Sequence, residues 1–170
     1  MSYKHEAASY AGSPPSGQGA AREPADSCDT DLALAYAAGF IDGEGCIHIA
    51  RQRRRGYTTL SYRARLTVAQ SNREILEHIR EVLGEPAQLV KVRRTEIQNR
   101  QPYTLVWDGR HAGAALRKVL PHLRLKLPEA RMLLRYLEEC DVRVHPGPLG
   151  HAPEVWTRRE KFYQKLRRLK

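Results

Sequence analysis

The chain has 170 residues, of which 41% are hydrophobic, enough for one domain with its own core. It carries 29 Lys and Arg against 19 Asp and Glu, a net charge of +10, which is typical of proteins that bind nucleic acid, although a soluble protein that is merely basic is the alternative. The three cysteines have no CxxC spacing, and no apolar run is long enough for a bilayer, which argues against a zinc-binding module, a disulfide framework and a membrane protein.

Residues 1–29 are rich in Ala, Gly, Ser and Pro and have no apolar periodicity, so we expect a disordered tail. They show neither the apolar core of a secretion signal nor the arginine-rich composition of a transit peptide. We therefore expect a cytoplasmic location, at the nucleoid if the protein is bacterial, or an organellar one. The rest divides into a core over 30–141 and a Pro/Gly loop with a basic C-terminal helix over 142–170.

The first predicted helix covers residues 31–42 and is apolar on every side. One side can cover the chain's own sheet, but no second helix of this kind is present to cover the other. Gly39 costs roughly 1 kcal/mol relative to alanine inside a helix, which favours a close helix–helix contact at this position. The sequence therefore predicts an isologous homodimer through this helix, with an interface containing Ala35, Ala38 and Gly39.

The remaining elements follow from alternating and helical apolar periods. Strands are predicted over 46–54, 60–70, 87–94 and 102–108, and helices over 72–83, 110–120, 129–141 and the basic segment 154–170. The order α-β-β-α-β-β-α, followed by the tail helix, indicates an α+β fold. Two adjacent hairpins would form a four-stranded antiparallel sheet with helices on its apolar face.

The other face of the predicted sheet is polar and basic. Strand parity places there His48, Ala50, Gln52 and Arg54 from the first strand, Arg63, Arg65 and Thr67 from the second, and Lys91 and Arg93 from the third. The neighbouring arginines are expected to contact phosphates instead, namely Arg51, Arg53 and Arg55. The DNA major groove admits a β-ribbon, so we expect this face to bind double-stranded DNA. A basic RNA-binding module is an alternative, but this face lacks the stacking aromatics expected of one.

Residues 37–45, AAGFIDGEG, span the end of the first predicted helix and contain two acids, Asp42 and Glu44. The C-terminus of a helix carries partial negative charge, and clustered carboxylates bind either protons or cations. Oxygen ligands without His or Cys suit Mg²⁺, which commonly also binds phosphate oxygens. From the residues alone a simpler interpretation stays open, in which the Asp-Gly and Glu-Gly pairs only form a helix-to-strand turn.

The same nonapeptide resembles the LAGLIDADG motif of homing endonucleases, with Ala37 at its first position and Glu44 where many members have Asp. The order of elements also matches that family's core, and the resemblance covers residues 31–140. Because it has a single copy of the motif, the chain resembles the homodimeric branch of that family. The resemblance implies metal-dependent hydrolysis of double-stranded DNA at a long pseudo-palindromic site, with Mg²⁺ as cofactor and an intron as the usual host of the gene.

The resemblance also implies roles for particular residues. Glu44 and its symmetry mate would bind the divalent metal, helped by the main-chain carbonyl of Gly43, and Asp42 is either a further ligand or a support for the helix ends. Gln70 would orient the attacking water, and Lys126, in LRLKLPEA, would act at the scissile phosphate. Without the resemblance, Gln70 is only a polar residue at a strand end and Lys126 a solvated lysine.

Two other functions exist on the same fold. One is an RNA-binding intron maturase, which a missing motif acid would favour, but Glu44 is present. The other is a catalytically inactive DNA-binding regulator, which would usually carry an added helix-turn-helix domain. Neither the target DNA nor the host intron is specified by the sequence.

Overall fold

A computed structural model describes residues 25–53, 60–95, 99–140 and 152–170 of the chain. The predicted order of elements and the α+β class are confirmed. In chain order the elements are α1 (Ala25–Glu44), β1 (Gly45–Arg53), β2 (Leu60–Gln70), α2 (Arg73–Leu83), β3 (Gln88–Lys91), β4 (Tyr103–Asp108), α3 (Arg110–Val119), α4 (Leu127–Cys140) and α5 (Pro153–Arg167). None of the helices among the described residues is long and apolar enough to cross a membrane.

The four strands form one antiparallel sheet in the order β1-β2-β4-β3. Each predicted hairpin contributes two neighbouring strands, and β2 pairs with β4 to join them. Gly45 pairs with Val68, Arg65 with Asp108, and Lys91 with Tyr103. Directly paired residues project to the same side of a sheet, so this register assigns every strand residue to a face.

The core lies between one face of the sheet and the helices. Its fully buried side chains include Ile41 from α1, Ile47, Leu66, Leu105 and Trp107 from the strands, and Leu76, Leu116 and Leu133 from α2, α3 and α4. Burying a side chain of this size contributes roughly 1.5–3 kcal/mol, so these alternating strand positions and helical stripes provide most of the driving force for folding.

Helix α1 begins at Ala25, six residues before the predicted start, so residues 25–29 are helical rather than part of a disordered tail. One side of the helix is buried in the core through Ala37, Ala38 and Ile41. The opposite side is exposed, with Leu32 at 64% and Tyr36 at 50% of their full exposure. The helix is thus apolar on two sides, of which the chain itself covers one.

Helix α5 is held against β1, β2 and α4 by polar and aromatic contacts. The carboxylate of Glu160 accepts hydrogen bonds from Arg51 at 3.0 Å, from the hydroxyl of Tyr62, and from Gln164 at 2.6 Å. Burial acts to raise the pKa of Glu160, but these donors outweigh it and lower the pKa. Phe162 packs against Tyr136 of α4, with ring centroids 5.8 Å apart. The basic helix is therefore a docked part of the fold.

Candidate active site and nucleic-acid interface

Helix α1 ends at Glu44 and strand β1 begins at the next residue, Gly45. A Cβ on Gly45 would lie 2.5 Å from the carbonyl oxygen of Ile41 and 2.9 Å from its Cγ2. Only glycine lets the strand leave the helix this closely. The tight junction places Glu44 at the helix C-terminus, where the chain enters the sheet.

Glu44 and Gly43 are both exposed at this junction. The Glu44 carboxylate makes no hydrogen bond or ion pair with any of the residues that the structure describes. The last carbonyl groups of an α-helix have no partner inside the helix, so main-chain oxygen is available here as well. Carboxylate and carbonyl oxygens are the donors that hard divalent cations prefer. No group of three or more His, Cys, Asp or Glu side chains among the described residues forms a metal site.

Asp42 faces the chain itself, so its proposed alternative role as a metal ligand is not supported. One carboxylate oxygen accepts hydrogen bonds from the backbone N–H of Arg124 at 2.7 Å and of Leu125 at 3.2 Å, and the other from the backbone N–H of Lys126 at 2.9 Å. Burial acts to raise the pKa of Asp42, but these three bonds and the nearby Lys126 charge hold it below its usual value. Asp42 therefore anchors the loop between α3 and α4, a contact that differs from the predicted support of the helix ends.

The loop held by Asp42 brings Lys126 to the junction. The Lys126 ammonium group donates a hydrogen bond to the main-chain carbonyl of Asp42. A cavity of about 350 Å³ lies beside it, lined in part by Lys126, Gly45 and Glu129. The structure thus joins the motif to a lysine 84 residues away along the chain. Glu129 was not predicted; it lies in the first turn of α4, three residues after Lys126.

Gln70 ends β2 at the same edge of the sheet, two residues beyond Val68, the partner of Gly45. Its side-chain oxygen accepts a hydrogen bond from the backbone N–H of Ser71 at 2.7 Å. This contact fixes the amide group and leaves its NH₂ as the free donor. Gln70, Glu44 and Lys126 therefore come from three different elements to one end of the sheet.

The outer face of the sheet carries the predicted polar side chains of the first two strands. Buried Ile47 and Ile49 alternate with half-buried His48 and Ala50 in β1, and Gln52 continues the outer series. In the register, Ala50 pairs with Arg63 and His48 with Arg65, so these residues share that face, together with Thr67. Arg54 and Arg55 lie outside the described residues.

Three predicted DNA contacts are placed differently by the structure. Lys91 pairs with Tyr103, whose neighbours Leu105 and Trp107 point to the core, so it lies on the helix side of the sheet. The outer residues of β3 are instead Gln88 and Val90, which pair with Val106 and Thr104, and Val90 is 43% exposed. β3 ends at Lys91, so Arg93 is outside the strand. Parity was wrong here because Val90 is exposed and Val92, 38% exposed, lies beyond the end of β3, so neither valine marks a buried face.

Arg51 is the third. Its guanidinium group pairs with Glu160 at 3.0 Å and lies 4.6 Å from the ring centroid of Tyr163. It therefore holds α5 to the sheet, with its Nη1 group engaged by Glu160. Arg53 is exposed near the end of β1.

Cys46 adds a titratable thiol to the outer face of the sheet. Its sulfur lies 3.6 Å from Nδ1 of His48 and 2.9 Å from Nζ of Lys170. The contact with His48, and after it that with Lys170, outweighs burial and lowers the pKa of Cys46 to about 6. The sequence offered only a lone cysteine here, because the partner Lys170 is 124 residues away.

Asp108 is an acid on the outer face that the sequence reasoning missed. One of its oxygens accepts a hydrogen bond from Nε of Arg65 at 2.5 Å. The other lies 3.3 Å from Nη2 of Arg65 and 3.6 Å from Nη1 of Arg63. Asp108 therefore joins two of the arginines predicted to contact DNA. The sequence placed Asp108 at the end of a predicted strand, and the contact follows from the pairing of β2 with β4.

Comparisons with known proteins agree with this geometry. Residues 37–138 match the family described as LAGLIDADG endonuclease. The DNA endonuclease I-CvuI of Chlorella vulgaris is 32% identical over 125 residues, which are 71% of this chain and 73% of that protein. A crystal structure of I-CvuI with its target in the presence of Ca has a TM-score of 0.68, at 26% identity, covering 84% of this chain and 85% of that one.

Two further solved structures have similar folds. I-CvuI in complex with the I-CreI target in the presence of Mg, with the DNA not cleaved, also has a TM-score of 0.68, at 25% identity and 84% coverage of both chains. The archaeal intron-encoded homing endonuclease I-Vdi141I, complexed with DNA, has a TM-score of 0.64 at 20% identity, covering 82% of this chain and 85% of that one.

Proposed function

Because the chain belongs to the LAGLIDADG endonuclease family, its activity is site-specific cleavage of double-stranded DNA, and we propose that it cuts as a Mg²⁺-dependent homodimer. The observation that carries the proposal is the difference in surroundings between the two motif acids. Asp42 is engaged by three backbone N–H groups, whereas Glu44 is exposed and without a partner among the described residues.

Glu44 and the carbonyl of Gly43 are the groups that would hold the ion. They supply hard oxygen donors, and phosphate oxygens and water would complete the octahedral set that Mg²⁺ requires. When bound, the ion would neutralise charge on the scissile phosphate and promote attack by water. Because Asp42 is engaged within the chain, we expect Glu44 of a second copy to lie close by and to add a further carboxylate.

The exposed side of α1 supports that second copy. Leu32, Ala35, Tyr36, Gly39 and Gly43 recur at helical spacing on this side, and all are exposed. A two-fold axis through this stripe would bury the apolar side chains and bring two helix C-termini together. Ala38, which the sequence placed in the interface, is fully buried within the chain, so we leave it out of the contact.

Lys126 and Gln70 would act directly on the DNA and its water. Lys126 is held to the motif by the Asp42 carbonyl, so its charge is aimed at the junction, where we expect it to offset charge on the scissile phosphate. Gln70, with its oxygen engaged by Ser71, would orient water through its NH₂ group. The outer sheet face would enter the major groove, where Arg reads guanine and Gln reads adenine.

A cleavage selection tests the function. A randomised pseudo-palindromic duplex library is incubated with the natural protein, Glu44→Gln or Glu138→Gln, with Mg²⁺ or with Ca²⁺, and cut ends are sequenced. We expect cut ends with Mg²⁺ for the natural protein, and about a hundredfold fewer for Glu44→Gln because it loses the anionic oxygen donor. Glu138 is an exposed acid on α4, so Glu138→Gln controls for the change in charge and should cut normally.

Other outcomes separate the alternatives. Selective binding of one duplex without cut ends would indicate an inactive DNA-binding regulator. Binding to structured intron RNA, without selective binding to any duplex, would indicate a maturase. Equal cutting by Glu44→Gln and the natural protein would contradict the role of Glu44 while leaving the endonuclease activity in place.

A further inference from the structure

We propose that Asp108 is a positioning residue that sets the base specificity of Arg65, an inference that rests on the DNA-reading role proposed for the outer sheet face. Arg65 and Asp108 are directly paired across β2 and β4 and project to that face. Both are partly exposed, at 27% and 30% of their side-chain surface, so the pair lies at the surface that would meet the DNA.

The geometry of the pair orients the guanidinium group. Asp108 binds Nε of Arg65 with one oxygen, at 2.5 Å, and Nη2 with the other, at 3.3 Å, so one edge of the planar group is held in two places. An arginine has five N–H donors in a rigid fork. With two N–H groups engaged, three remain, and the carboxylate determines the direction in which they point.

An unheld arginine would be less selective. Its long side chain can reach a phosphate as easily as a base, and phosphate contacts carry no sequence information. A held fork presents its free N–H groups at one place in the groove, where they match the O6 and N7 acceptors of guanine. Arg63, whose Nη1 lies 3.6 Å from the same carboxylate, is more loosely held and 48% exposed. Asp108 therefore orients the guanidinium group of Arg65 more strongly than that of Arg63.

The charge of Asp108 points to the same role. A carboxylate on a surface that binds a polyanion opposes binding to every DNA sequence alike. An exposed ion pair by itself adds little stability to the fold. The favourable effect of Asp108 is therefore the orientation of the Arg65 guanidinium group. Asp108 thus lowers affinity for DNA in general and favours the sequence that the held arginine can read.

The test compares the base preferences of matched variants. The natural protein, Asp108→Asn and Glu138→Gln each select binding sites from the randomised duplex library with Ca²⁺, and the bound sequences are counted at every position. Both substitutions remove one negative charge, but Glu138 is 63% exposed on α4, and among the described residues its ion-pair partner is Arg117 at 3.8 Å. Thermal melting of each variant checks that its fold is intact.

We expect Asp108→Asn to lose about tenfold of the preference for guanine at one position in each half-site, within the range that one bidentate arginine–base pair supplies. Glu138→Gln should keep the natural profile. In an Arg65→Gln background the guanine preference is already lost, and Asp108→Asn should change that position no further. Such non-additivity is the sign that the two residues act together.

Three results would overturn the proposal. In the first, Asp108→Asn keeps the natural base preferences and increases overall DNA binding by the same amount as Glu138→Gln. This result would show that only the change in charge matters. A full effect of Asp108→Asn in the Arg65→Gln background would show that Asp108 acts without Arg65. If the natural protein selected no duplex sequence at all, the DNA-reading function would fail, and this inference with it.

Discussion

At the scale of single residues, the two motif acids have opposite surroundings although they are two positions apart. Asp42 turns inward and accepts three backbone hydrogen bonds, whereas Glu44 stays exposed at the end of the helix. An acid with its oxygens engaged organises the site, and one with free oxygens is able to bind a cation. The motif therefore combines a carboxylate that is engaged within the chain with one that is exposed, for which we propose the chemical role.

We predict that Asp42→Asn weakens both the fold and the activity. The amide keeps the size but loses the charge and one acceptor oxygen, which should lower the free energy of unfolding near neutral pH by roughly 1–2 kcal/mol. DNA cleavage should fall as well, because the loop that holds Lys126 loses its anchor. Urea unfolding and the cleavage assay measure the two effects.

The pH dependence of this loss follows from the lowered pKa of Asp42. A carboxylate with a native pKa below its ordinary value of 3.8 contributes stability that is complete above that value and is lost as the pH falls through the native pKa. The difference between the natural protein and Asp42→Asn should therefore close in strong acid. Asp31→Asn is the control and should cost less, because Asp31 is an exposed acid of the same helix that pairs with His122 at 3.2 Å.

At the scale of elements, the junction between α1 and β1 has no linker. The strand leaves the helix at Gly45, whose missing Cβ makes room for the backbone of Ile41. This contact fixes the direction of β1 relative to α1. Helix direction, strand direction and the position of Glu44 are therefore set by a single close approach.

We predict that Gly45→Ala lowers the free energy of unfolding by about 2 kcal/mol, because the new methyl group would overlap a backbone carbonyl that has no room to move. Gly43→Ala is the matched control: no atom lies within 4 Å of a Cβ built there. Alanine is also the better helix former, so this variant should be as stable as the natural protein or slightly more so. Urea unfolding at concentrations too low for dimerisation measures both. Equal stability of the two variants would contradict the close contact at Gly45.

At the scale of the whole molecule, the exposed stripe on α1 is the feature on which the proposed dimer rests. It places apolar Leu32 and Tyr36 in solvent next to two glycines, Gly39 and Gly43, which leave a groove for a neighbouring backbone. Two copies joined here would present two sheets and two Glu44 side chains around one axis. A nearly palindromic target follows from that symmetry.

We predict that Gly39→Leu yields a stable monomer that does not cut DNA. No atom lies within 4 Å of a Cβ at position 39, so the single chain has room for leucine, whereas a closely packed second helix would not. Sedimentation equilibrium should give a dimer for the natural protein and a monomer for the variant, with unchanged melting of the monomer fold.

Glu81→Leu adds the same side chain to an exposed position of α2 and should leave the assembly unchanged. If Gly39→Leu sediments as a dimer and cuts DNA normally, then this side of α1 is not the interface.

The sequence by itself determined the order of elements, the outer face of β1 and β2 and the identity of the motif, because each of these rests on local period and spacing. Only the tertiary structure decided that Asp42 binds the loop 82 to 84 residues away, that Asp108 holds Arg65 across 43 residues, and that Arg51 faces α5. It also reversed the parity of β3, where Lys91 lies on the helix side. These contacts depend on strand register and helix docking, and both are selected by the packing of the whole core, which no local pattern encodes.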